Sequence, residues 1–343
     1  MAFLGLAQQA PSTGPYKVLQ TAKVGGEGGF DYVYADSDGR RLYIARKGTE
    51  PRVTVFDLDT LKPAGEIPKT SANGAAVDPK SHHGFASSKP VAMWDTKTMQ
   101  PIKTIDVEGG PDGILFDPFN ERVWVFSHRA PNATVIDSKD GTVIGTVDLD
   151  GAPEQAVTDG KGHMYVDIED KDNVAAVDTK TMKVTAHYSL GDGKTPAGLG
   201  FDVKNHVLFV ACRQPAPGLM VMMNSEDGKI ITTLPLAGGS DGAVFNPKTM
   251  EAFSSAANAT LTVIKEKSPT SFEQEQIVTT MTGGKTLTLD SKTGHILIIA
   301  AEYGPPPPPP PADAPKDESK KGGGRGGRGP MLPGSFSVVV VGK

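Results

Sequence analysis

The chain has 343 residues, with 40 Gly, 28 Pro, 6% aromatic residues and a formal net charge of −5. That charge gives no basis for a general polyanion binder, and the single cysteine, Cys212, excludes an internal disulfide. No apolar run approaches the roughly 20 residues that a membrane-spanning helix requires.

From the N-terminus, Ala2-Phe3-Leu4-Gly5-Leu6-Ala7-Gln8-Gln9-Ala10-Pro11 reads as the tail of a secretory signal: a short apolar end, a small residue at the cut, then polar residues and Pro. It leads to the expectation of a periplasmic or secreted protein in which residues 1–15 are a signal remnant without a fold of its own. Residues 16–21 then form a first strand. After it one phrase returns seven times: a short apolar run closed by Asp or Asn, a Tyr- or Phe-bearing strand, and a β-branched run. The closing residues are Asp36, Asp78, Asp117, Asp159, Asp202, Asn246 and Asp290, spaced by 42, 39, 42, 43, 44 and 44 residues. A period near 40 with about four strands per unit is the signature of a β-propeller. Length alone would suggest two domains, but the repeat makes residues 16–343 one ring.

The third repeat shows the layout, strands a to d falling at 113–116, 122–126, 133–137 and 143–147. Asp-Thr-Lys-Thr-Met, at 95–99 and again at 178–182, makes the c–d turn in two blades. Cys212 follows the strand residues 208–211 and reads as a buried small hydrophobe. The seventh repeat has only three strands, at 286–289, 295–300 and 336–341. Residues 16–21 supply the fourth, so the expected fold is an all-β, seven-bladed propeller closed by pairing the N-terminal strand with the C-terminal one, which removes open sheet edges. A Pro/Gly/Arg-rich loop at 304–334 interrupts the last blade. Its proline run favours polyproline II and its Gly-rich half a flexible, solvated chain.

The strand wording Arg41-Leu42-Tyr43-Ile44-Ala45, followed by Val53-Thr54-Val55-Phe56-Asp57-Leu58-Asp59-Thr60, resembles the YVTN-repeat, YncE-like bacterial propellers over nearly the whole chain. The resemblance implies seven blades, export and, in many members, no assigned activity. The wider superfamily includes cofactor-dependent dehydrogenase subunits, metal-dependent lactonases and antibiotic-inactivating lyases. Trp94-Asp95 is no WD40 signature, because its own repeat lacks the Gly-His partner.

Antiparallel strands alternate in direction, so the d–a and b–c connections share one face of the ring. Five residues before each closing residue, on that face, stand Asp31, Asn73, Asp112, Glu154, Ala197, Asp241 and Lys285. Asp31, Asn73, Asp112, Glu154 and Asp241 together suit a hard cation such as Ca²⁺ or Mg²⁺. Asp112, Glu154 and His128 are the candidates for acid–base or metal-assisted catalysis. Turn capping, as in Gly-Pro-Asp-Gly at 110–113, explains the same letters and is the preferred reading. Strand b ends on this face too, adding Arg46, Lys47, Lys89, His128, Arg129, Asp167, Glu169, Arg213 and Glu302. Of these, Arg46, His128, Arg129 and Arg213 are the candidates to hold an anionic or zwitterionic small ligand. His82, His83, His163, His206 and His295 fall on the opposite face and His187 in an outer strand, which argues against a multi-histidine metal centre. Gly238-Gly239-Ser240-Asp241-Gly242 matches a nucleophile elbow only in letters, since it precedes a strand rather than a helix. The functional expectation is a binding or scaffold propeller that takes an unknown small molecule or protein at its loop face. A metal-dependent hydrolase or lyase is the alternative, and single-stranded nucleic-acid binding a second one.

Overall fold

The computed structural model describes residues 11–306 and 329–343. The signal-like run up to Ala10, and residues 307–328 of the Pro/Gly/Arg-rich loop, lie outside the described residues.

The closing residues explain the period. Each sits at the end of a strand a, where its side chain folds back on the next turn. The carboxylate of Asp36 accepts the Gly39 amide at 2.8 Å, Asp78 accepts Lys80 at 2.9 Å, Asp159 accepts Lys161 at 2.7 Å, and the Asn246 side-chain oxygen accepts Lys248 at 3.0 Å. Asp and Asn do this because their short side chains reach backbone amides two or three residues on. A turn so fixed sends strand b back beside strand a, and the unit repeats around the ring.

The described strands form seven four-stranded antiparallel sheets. Blades 1 to 6 run in chain order, and blade 7 combines β26 (Leu287–Asp290), β27 (His295–Ala300), β28 (Ser337–Gly342) and β1 (Lys17–Lys23). Burial peaks in the middle strands of a blade: the b-strand His163–Ile168 is almost wholly buried, whereas the d-strand Lys183–Ser189 alternates exposed and half-buried. The core is divided among the interfaces between adjacent blades. Tyr43, Val53 and Val55 of blade 1, for example, pack on Val77, Ala86 and Trp94 of blade 2, and the Tyr43 and Trp94 rings lie 5.8 Å apart. Each blade needs both neighbours to bury its two faces.

The ring closes as the sequence implies. Strand β1 pairs antiparallel with β28, from Lys17 opposite Gly342 to Lys23 opposite Ser337. The closure reaches past the ladder into blade 6. The Tyr16 backbone exchanges two hydrogen bonds with the Gln276 amide, at 2.9 and 2.7 Å. The Tyr16 hydroxyl donates to the buried Glu251 carboxylate, which Lys343 also reaches at 2.9 Å. The foot of the 304–334 loop is pinned where Gly304 donates to the Pro330 carbonyl at 2.8 Å and Leu332 to that of Glu302 at 2.9 Å.

One buried acid gives this fold a pH signature. Glu266 is 2% exposed beside Asp202 and accepts the Asn205 side-chain amide at 2.7 Å. Burial, with Asp202 adding to it and Asn205 opposing, pushes its carboxyl up to about 7. The folded state therefore holds a proton that the unfolded chain releases near pH 4.5, and stability falls as pH rises from there to about 7. Glu266→Gln should match the wild type in urea denaturation at pH 5 and exceed it by on the order of 2 kcal/mol at pH 8. Equal stability of the two proteins at pH 8 would refute this.

Candidate functional site: the mouth of the channel

The five-before positions converge because of a repeated backbone irregularity. In blades 2 to 6 the pairing of strand a with strand b slips at its start, between Ala72 and Ala75, Pro111 and Ile114, Pro153 and Ala156, Pro196 and Gly198, and Ser240 and Ala243. Such bulges re-aim side chains, and these hold Asn73, Asp112, Glu154, Ala197 and Asp241.

The residue after each position is glycine in four blades (Gly74, Gly113, Gly198 and Gly242) and Tyr32, Gln155 or Thr286 in the others. Those glycines leave the room that two larger side chains fill. Tyr32 of blade 1 crosses the ring, its hydroxyl donating to the Glu154 carbonyl of blade 4 at 3.3 Å. A Cβ on Gly74 would press on Tyr32 at 3.3 Å, and one on Gly113 would lie 2.7 Å from that same carbonyl oxygen. Gln155 ties three blades together: its amide donates to the carbonyls of Ala243 at 2.8 Å and Leu199 at 3.3 Å, while its oxygen accepts their amides. Below them a 150 Å³ cavity is lined by Tyr32, Glu154, Gln155, Gly242 and Thr286, among others. Sequence reasoning missed Tyr32 and Gln155. The break in the Xaa-Gly pattern at 31–32 and 154–155 is the signal that could have found them.

Around Tyr32 the acids divide into two groups. Asp31 is ion-paired with Lys285, across the junction of blades 1 and 7. The others gather on blades 3 to 6. His128, just past the end of Arg122–Ser127, is placed by Ser127, whose hydroxyl accepts the Gly110 amide at 2.8 Å and that of Ala130 at 3.2 Å. His128 Nδ1 lies 3.5 Å from Glu154 and 3.9 Å from Asp112, and its Nε2 lies 3.4 Å from Glu169. Arg213 pairs with Glu169 and with Asp241 (3.0 Å), lies 3.6 Å from Glu154, and donates through Nε to the Ser240 carbonyl at 3.1 Å. Asp167, behind them, is fully buried. Neither of its oxygens has a partner in hydrogen-bond geometry, although the Gly198 amide favours its charged form.

Crowding shows in the proton affinities. Burial, then Glu154 and Asp31, push the Asp112 carboxyl up to about 7. Burial and Glu154 raise Asp167 far above the usual carboxylate range, and the same two causes raise Glu169. His128 rises to about 9, with Glu154 the chief cause against the effect of burial, and Asp112 and Glu169 adding to it. Tyr32 is raised by burial and then by Glu154, Asp112, Asp31 and Asp241. At neutral pH the site thus holds a cationic imidazole among acids that repel one another.

The remaining candidates fall elsewhere. Asn73 spends its side-chain amide on the Pro111 carbonyl at 2.8 Å. Arg129 is exposed on the outer rim beside Gly110, within a shallow pocket that His128 and Asp170 also line. Arg46, expected to hold a ligand, is instead 1% exposed inside the fold. Its guanidinium lies 3.7 Å above the Phe336 ring and donates to the carbonyls of Gly26 at 3.0 Å and Gly28 at 3.2 Å. Its charge belongs to the core of blades 7 and 1. The bonds of Asp31 and Glu154 go to side chains across the mouth, and Asp112 faces His128, whereas the turn-capping reading assigned these acids to their own turns. Among the described residues no helix is long and apolar enough to cross a membrane.

No protein-family model and no curated protein matches the sequence. The fold is similar to a hydrazine synthase chain of Kuenenia stuttgartiensis, with 16% identity, a TM-score of 0.66, and coverage of 78% of this chain and 91% of that one. It is similar to a chain of the mitotic checkpoint complex at 10% identity and TM-score 0.71, covering 87% and 94% of the two chains. The RRP9 WD40 repeats match at 10% identity and TM-score 0.71 over 97% and 99%. Likeness at this level of identity fixes the architecture, a seven-bladed β-propeller.

Proposed function

We propose that this chain is an exported binding propeller of the YVTN-repeat, YncE-like kind, and that the ligand it takes at the channel mouth is cationic. One observation carries the reading: six acids, Asp31, Asp112, Glu154, Asp167, Glu169 and Asp241, gather at the mouth around Lys285, Arg213 and His128, and burial and mutual repulsion drive Asp112, Asp167 and Glu169 toward protonation. Acids held together against their own repulsion are a feature of sites rather than of stable surfaces. Arg213 shares its charge among three carboxylates, so an anionic ligand finds no free clamp there. The same balance argues against nucleic acid. The strand wording supports the family reading, and the sequence of residues 2–11 supports export. A metal-assisted hydrolase or lyase is the second reading, favoured by the approach of His128 to Asp112 and Glu154.

Thermal melting in the presence of spermidine, lysine, choline, citrate and phosphate tests the proposal. A cation at one hundred times its Kd should add about 2.7 kcal/mol, a rise of about 4 °C for a chain of this size. Glu154→Gln with Glu169→Gln should remove that rise. Stabilisation by the anions alone, or by none of the five, would sink the reading.

A further inference from the structure

We infer that Asp112, His128 and Glu154 form a binding site for a first-row divalent transition cation, with Glu169 orienting the imidazole. The inference rests on the cationic-ligand reading of the mouth and assigns it a chemistry. One ligand atom from each of the three residues lies within 4.8 Å of the others. The 3.5 Å between His128 Nδ1 and Glu154 already matches the spacing of about 3.4 Å between tetrahedral ligands with bonds of about 2.1 Å, and Asp112, at 3.9 Å, needs only a small side-chain adjustment.

Two further observations point to a metal. His128 Nδ1, the nitrogen that faces both carboxylates, is buried and lies 3.5 Å from Glu154 without the alignment of a hydrogen bond. The other nitrogen, Nε2, faces Glu169 at 3.4 Å, the carboxylate–histidine arrangement that fixes a metal-binding imidazole. Oxygen ligands alone would suit Ca²⁺ or Mg²⁺. The imidazole moves the preference to Zn²⁺, Co²⁺ or Mn²⁺. With three protein ligands the cation keeps an open position toward solvent, where a carboxylate- or carbonyl-bearing small molecule could complete it. Asp31 and Asp241 lie outside the set, engaged by Lys285 and Arg213.

Co²⁺ titration of tag-free, chelator-treated protein, followed by visible absorption and by melting, tests the site. The expected result is one equivalent of Co²⁺, with d–d bands of low coordination number, displaced by Zn²⁺. His128→Gln should weaken binding about 100-fold, and Glu154→Gln comparably. Glu169→Gln should weaken it about 10-fold and shift the bands without abolishing them, which a merely structural role would not do. Glu108→Gln, an exposed acid on the same face, should change nothing. Absence of a Co²⁺, Zn²⁺ or Mn²⁺ complex in the wild type, or equal binding by His128→Gln, overturns the site. Spermidine or lysine stabilisation persisting in that case leaves the cationic-ligand reading standing, and its loss as well would end both.

Discussion

Deleting residues 1–24 should turn this propeller into an aggregating protein. Strand β1 is itself the exposed outermost strand of blade 7, so apart from Tyr16, which is buried against Phe253, little apolar burial is lost with it. What it covers is β28, buried along all six residues and carrying Val338, Val339, Val340 and Val341 in a row. Uncovered, that edge presents unpaired amides and carbonyls on a β-branched, uncharged run, the template on which strands of other molecules add. The anchor on blade 6 disappears too, leaving buried Glu251 without Tyr16. We expect insoluble protein, or a melting temperature lower by about 10 °C or more, with partial rescue by a synthetic peptide spanning residues 11–24. A soluble truncated chain with an unchanged melt would refute the closure.

The second large effect belongs to Arg46. Its guanidinium is stacked on Phe336 and donates to carbonyls of the 25–28 loop, and burial, with Arg52 adding to it, lowers its proton affinity to about 10, leaving it charged at neutral pH. Arg46→Ala removes the donors and the flat group at once, leaving a cavity in the core and the loop carbonyls without their donor. A loss of about 3–5 kcal/mol is expected, read as a fall in melting temperature of about 5 °C. Arg46→Lys should recover less than half of it, because an ammonium neither stacks nor forks. A neutral Arg46→Ala would return this residue to the set of ligand candidates.

These two sites show where the sequence is readable. The fold is written in local chemistry that recurs: an Asp that caps its own turn, a b-strand with a continuous apolar run, a d-strand that alternates. Closure follows from counting strands, since blade 7 is one short and residues 16–21 are one over. The mouth is harder to read because its contacts join residues far apart in the chain. Nothing near Tyr32 announces that its hydroxyl ends on blade 4, and nothing near Arg46 announces Phe336. Position on a face was legible for Asp112, Glu154 and His128, since it depends only on strand direction. The partners were not, since they depend on bulges and on rotamers chosen by packing. Arg46 ends a b-strand and Arg213 stands one residue before the end of another, yet one turns into the core and the other bridges three acids.

The blade shared between the chain's two ends also governs the order in which the protein can assemble. Blades 1 to 6 are successive hairpins, and each can condense on the one before it as the chain lengthens. Blade 7 cannot. Its outermost strand is made first, and its pairing partner last, so β1 must wait unpaired until β28 arrives. The closing step joins the most distant segments of the chain, and steps of that kind are slow. Until it happens, six blades stand as an open arc with an apolar face bare at each end. Refolding yield should therefore fall with protein concentration, because a second molecule competes for those faces with the chain's own last strand.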